Sequence, residues 1–135
     1  MQWLIDIVKK WIWIRSNLPP GYVDRGDPVN YDFTEANLTT DSAWHVLDLS
    51  AIIPNGATAV LLSVKIRCGL AGIESSVRKN GNVNVPCRSS MYTQVANLYN
   101  LADWVVTLNS NRKIEYFFTN VVWTNIFIIV RGWWF

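Results

Sequence analysis

Residues 57–68 read ATAVLLSVKIRC. Side chains alternate from face to face along a strand, so Val60, Leu62, Val64, Ile66 and Cys68 share one face. Pro54-Asn55-Gly56 precedes the run and Gly69 to Gly72 follows it, and both are turn chemistry. A strand with such an apolar face needs a second layer to cover it.

The pattern recurs on both sides. In WHVLDLS (44–50), Trp44 and Val46 share one face and Leu47 and Leu49 the other. IESSVRK (73–79) runs into Asn80-Gly81, the strongest hairpin signal in the chain. VNVPCRSS (83–90) and YTQVANLY (92–99) are weaker strand candidates. DWVVTLN (103–109) closes on Asn109-Ser110-Asn111, and KIEYFFTN (113–120) and WTNIFIIVRGWWF (123–135) complete the set. In the last, Ile126, Ile128 and Val130 alternate with Phe127, Ile129 and Arg131. Both faces are largely apolar, so the strand is central or covered. About eight short strands separated by turns predict an all-β antiparallel β-sandwich of jelly-roll type, with a barrel as the alternative.

Residues 2–15 read as an amphipathic helix, although WIWI (11–14) also suits a short strand. At about 100° per residue, Trp3, Leu4, Ile7, Val8, Trp11 and Ile14 fall on one broad arc. Pro19-Pro20-Gly21 continues neither element. The expected organisation is an N-terminal helix for assembly or anchoring (1–18), an extended turn-rich arm (19–42) and a β-sandwich domain (43–135).

Half of the 135 residues are hydrophobic, eight are tryptophan and only 16 % are charged, against roughly 25 % in ordinary globular chains. So much apolar surface predicts association with copies of the chain or with a partner. The net charge of +2 is spread without a basic stripe, which argues against a nucleic-acid partner. No secretory signal pattern is evident. The apolar stretch 3–14 is short of the about 20 residues a span needs. Cys68 and Cys87 stand outside any CxxC motif and His45 is the one histidine, too few ligands for a structural zinc. A disulfide is possible; two buried free thiols are the expectation. Asn37-Leu38-Thr39 matches the N-glycosylation pattern, which carries no weight without a secretory signal.

Catalytic constellations are sparse, and the chain reads as a non-enzyme without a cofactor. His45, Asp48 and Ser50 contain the residue types of a hydrolytic triad. A separation of three, however, puts His45 and Asp48 on opposite strand faces. Asp24 with Asp27, and Glu74 with Glu115 and Asp103, are the carboxylates a glycosidase would pair. Arg25 is placed to satisfy Asp24 or Asp27, and Arg25-Gly26-Asp27 is also the integrin-recognised tripeptide. The aromatics are more telling. Trp133 and Trp134 are adjacent, so in a strand one points to the core and the other needs a second shelter. The interface candidates are Trp3, Ile7, Trp11, Ile14, Trp133, Trp134 and Phe135. For a carbohydrate-binding alternative, Trp123 and Trp134 are the candidate stacking platforms.

A resemblance covers residues 22–135. YVDRGDP, NLTTDSAWHVLDLSAIIPNGATAVLLSVKIR, VRKNGN, TQVAN, NRKIEYFFTN and VRGWWF resemble small β-sandwich proteins of bacteriophage and environmental viral sequences. These are similar to domains at the ends of tail fibres and other virion appendages. The resemblance implies a virion structural or receptor-binding component, assembled in the host cytoplasm, commonly a homotrimer, and no cofactor. Other virion proteins and a host-surface glycan are the implied partners. The helix lies outside the resemblance; it is expected to pack with sister subunits or a larger virion protein, then on its own sandwich, and last in a membrane interface through residues 2–15.

Overall fold

The computed structural model describes residues 1–7 and 21–135. Residues 2–7 are helical; Trp11, Ile14 and the remainder of the expected helix lie outside the described residues. Among the described residues nine strands follow: β1 (Tyr22–Asp24), β2 (Phe33–Thr34), β3 (Trp44–Asp48), β4 (Ala59–Cys68), β5 (Glu74–Lys79), β6 (Arg88–Tyr92), β7 (Asn100–Thr107), β8 (Lys113–Phe118) and β9 (Trp123–Trp134).

They form two antiparallel sheets. One runs β1-β9-β4-β7, with β2 also pairing β9; the other runs β3-β8-β5-β6. The sheets enclose one core. Val60, Leu62, Val64, Ile66 and Cys68 line it from β4, and Ile126, Ile128 and Val130 from β9. Ile114, Tyr116 and Phe118 answer from β8, with Leu47, Leu49 and Val77 beside them. Burying each such side chain stabilises the fold by about 1.5–3 kcal/mol. The fold is thus an all-β sandwich, and the apolar face of residues 57–68 is its centre.

Residues 21–42, expected as an arm apart from a sandwich beginning at 43, instead contribute to it. Tyr22 to Asp24 pairs with Trp134 to Gly132, and Phe33 and Thr34 pair with Ile128 and Phe127. The edge of β9 would otherwise present bare N–H and C=O groups.

The weaker strand candidates are shortened for a definable reason. Pro86 has no N–H to give a ladder, and residues 85–87 form a 3₁₀ turn, so β6 starts only at Arg88. Asn80-Gly81 does turn the chain, with Gly81 at φ +97° and the Asn82 N–H on the Lys79 carbonyl at 3.1 Å. The strands re-pair only at Arg78–Arg88, so the loop is long rather than a two-residue hairpin. In YTQVANLY, buried Thr93 bends the chain: its hydroxyl donates to the Leu70 carbonyl at 2.8 Å and accepts the Ile73 N–H at 2.9 Å.

Two bulges interrupt the pairing of β4 with β9. Leu61 faces Gly132 while Leu62 faces Val130, so Arg131 is extra; Arg67 faces Asn125 while Cys68 faces Trp123, so Thr124 is extra. Each extra residue reverses the alternation beyond it. Trp123 and Trp133 therefore join the core face, and Trp134 turns outward.

Candidate binding face

The candidate catalytic groups are dispersed. His45 Nε2 lies 2.7 Å from Asp41, four residues back, and not on Asp48. That contact holds the Asp41 carboxyl below its ordinary value. Asp48 accepts the Ser50 N–H at 2.9 Å, and bonds from Ser50 likewise lower its carboxyl. Glu115 is taken by Arg78 at 2.7 Å and by the Gly81 N–H at 2.8 Å. Glu74 accepts from Ser76 at 3.0 Å, and Asp103 accepts the Ser63 hydroxyl. Asp24 accepts the Gly26 N–H at 3.2 Å. Arg25 satisfies neither Asp24 nor Asp27; it is held by Asp32, which leaves the integrin-type tripeptide without a free guanidinium. Among the described residues no three His, Cys, Asp or Glu side chains stand together as a metal site.

The aromatic candidates are redistributed by the bulges. Trp123 is 7 % exposed, meets Phe118 edge-on at 5.6 Å and donates its indole N–H to the Thr119 carbonyl at 3.0 Å. It is a core residue, so it offers no sugar a platform. Trp133 packs against the core with its indole N–H buried and unpartnered. Trp134, on the outer face, packs against Tyr22 with ring centroids 4.9 Å apart. Phe135 lies over Gly56. The closing aromatics are thus partly sheltered by their own chain. Trp3 and Ile7, by contrast, are 67 % and 40 % exposed. Both cysteines are free; Cys68 is buried as expected, but Cys87 is exposed, because the 3₁₀ turn before β6 lies on the surface.

The outer faces of the two sheets differ. On β3-β8-β5-β6 the two arginines are paired: Arg78 with Glu115, under the Trp44 ring at 3.9 Å, and Arg88 with Glu74 at 3.7 Å. On β9-β4-β7 they are not. None of the ion pairs of the described residues involves Lys65, Arg67 or Arg131. The strand register sets Ser63 between Ile129 and Asp103, and Lys65 between Phe127 and Leu101. Tyr31, on the loop before β2, stacks on Phe127 at 4.4 Å and 16°. Tyr31, Ser63, Lys65, Leu101, Asp103 and Ile129 bound an open groove of about 410 Å³, with Arg131 also lining it.

Of these groove residues, Asp103 was among the sequence candidates, as a glycosidase carboxylate, and the others were not. Part of the signal was present: Ser63, Lys65 and Arg67 alternate with the core residues of β4. Their partners from 31, 103 and 129–131 are brought in by pairing across long separations, which no local pattern announces. No family model matches this chain, and no curated protein matches it in sequence.

Proposed function

We propose that this chain is a virion structural or appendage protein that works by homo-oligomeric assembly, with a trimer as the favoured state. The observation that carries the reading is the opening helix. Trp3, Leu4, Ile5 and Ile7 are 67 %, 49 %, 41 % and 40 % exposed. An apolar segment left in water favours association, since burial is worth roughly 25 cal/mol per Å².

The strand order supports a jelly roll. Counting β1 and β2 as one interrupted strand leaves eight, and the orders β1-β9-β4-β7 and β3-β8-β5-β6 are those of two wrapped Greek keys. The resemblance of residues 22–135 to phage appendage domains supports the same reading. The interface rests on the helix more than on Trp133, Trp134 and Phe135.

Sedimentation of the full chain tests this. A stable multiple of 15.5 kDa is expected, falling towards the monomer in a Trp3→Glu/Ile7→Glu variant. A monomer at every concentration overturns the reading.

A further inference from the structure

We propose that the groove on the outer face of β9-β4-β7 binds a carboxylated sugar. This goes beyond assembly and does not depend on it.

The first argument is charge. Lys65 and Arg131 line the groove and Arg67 lies one pair further along β4. None has a carboxylate partner among the described residues. The Lys65 ammonium sits 4.2 Å from the Tyr99 ring centroid and the Arg67 guanidinium 5.3 Å from it. The Arg67 Nε is buried without a hydrogen-bond partner among the described residues. Cations that no ion pair holds, gathered on one face of a chain whose net charge is only +2, favour an anionic ligand.

The second is the placement of Arg131. It is the extra residue of a bulge, a device that re-aims a side chain. The bulge is locked from behind: the Arg25 N–H donates to the Arg131 carbonyl at 3.0 Å, and Tyr22 donates to it at 3.3 Å. Among the described residues the side chain hydrogen-bonds the Ser63 hydroxyl alone, at 3.3 Å.

The third is what distinguishes a sugar acid from a phosphate. Asp103 stands among the cations, tied to Ser63 through one oxygen. A carboxylate there repels a multiply charged phosphate but accepts a hydroxyl proton. A sugar ring carrying hydroxyl donors and no more than one carboxylate satisfies both signs. Tyr31 is braced from behind by Phe127 and is 43 % exposed, so it presents a rigid ring against which a sugar can pack. The groove volume of about 410 Å³ falls within the usual range of small-ligand sites.

The test is calorimetric titration of the full chain with three acidic probes: tetragalacturonate, a hyaluronan tetrasaccharide and sialyllactose. Maltotetraose, inorganic phosphate and a single-stranded oligonucleotide are the comparison arms. At least one acidic probe should bind more tightly than all three comparisons. Arg131→Gln and Tyr31→Ala should each weaken it at least tenfold, with melting temperature and native mass unchanged. Asp103→Asn should weaken the sugar acid while strengthening phosphate. Failure of all three acidic probes, equal binding of phosphate or oligonucleotide, or indifference to Arg131→Gln would each overturn the proposal.

Discussion

Arg25 and Asp32, seven residues apart, together serve as the missing rung between β1 and β2. Asp32 accepts the Val130 N–H at 2.8 Å and Arg25 donates to the Val130 carbonyl at 3.1 Å. The two side chains also bond each other, Nη2 to Oδ1 at 2.9 Å. A backbone strand would normally fill both groups of a ladder residue; here a charge-assisted side-chain pair does so, and the loop between is free to bulge away.

Removing one half of that clamp strands the other. Asp32 is only 9 % exposed at its side chain, so Arg25→Ala leaves a poorly solvated carboxylate and costs about 2–3 kcal/mol. Asp32→Ala costs at least as much, because the Val130 N–H also loses its acceptor. Urea unfolding of both singles and the double should show strong non-additivity; simple addition would mean the pair is not acting as a unit.

The bulge at Arg131 predicts a second coupling. A Cβ on Gly132 would stand 2.5 Å from ring carbons of Tyr22. Gly132→Ala therefore displaces the Tyr22 ring from Trp134 and from the Arg131 carbonyl, at about 1–2 kcal/mol. In a Tyr22→Ala background the same substitution should cost much less. An equal cost in both backgrounds would show that the backbone, and not the ring, is the obstacle.

The two thiols should separate in a labelling experiment. Cys87 is exposed, whereas Cys68 is buried in the core with its Sγ 3.1 Å from the Leu70 carbonyl. A maleimide should modify one thiol rapidly in the folded protein, mapped to Cys87 by peptide mass, and the second only on unfolding. Rapid modification of both would contradict the packing around β4.

Asp41 predicts a pH dependence with a definite sign. Its carboxyl is lowered below the ordinary 3.8, chiefly by the His45 hydrogen bond. A carboxyl lowered in the folded state adds stability that is present above its unfolded pKa and is lost as pH falls through the folded value. The stability gap between the native chain and Asp41→Asn, followed by chemical unfolding, should shrink as the pH falls below 3.8. A gap that widens on acidification would reverse the assignment.

Much of the sandwich was legible because the core faces of β4, β8 and β3 obey simple alternation and are bounded by Pro, Gly and Asn turns. The tryptophans were not. Counting outward from Ile126–Val130 by twos places both Trp123 and Trp133 on the outer face, and a bulge at each end of β9 reverses that. The bulge at Arg131 leaves no mark in the hydrophobic pattern, since Arg131 falls in the outward phase, and the one at Thr124 shows only as a polar residue in the phase of Ile126. The strands of the 21–42 segment leave no pattern for a related reason: β1 and β2 are three and two residues long, too short to show a period, and are held in place by Arg25 and Asp32.

The native mass of the full chain bears most directly on assembly. Sedimentation equilibrium at micromolar concentration should give a fixed multiple of 15.5 kDa, with the trimer favoured, reduced by Trp3→Glu/Ile7→Glu while the β-sheet spectrum is retained. A single species of 15.5 kDa across the whole concentration range, unchanged by those substitutions, would contradict it.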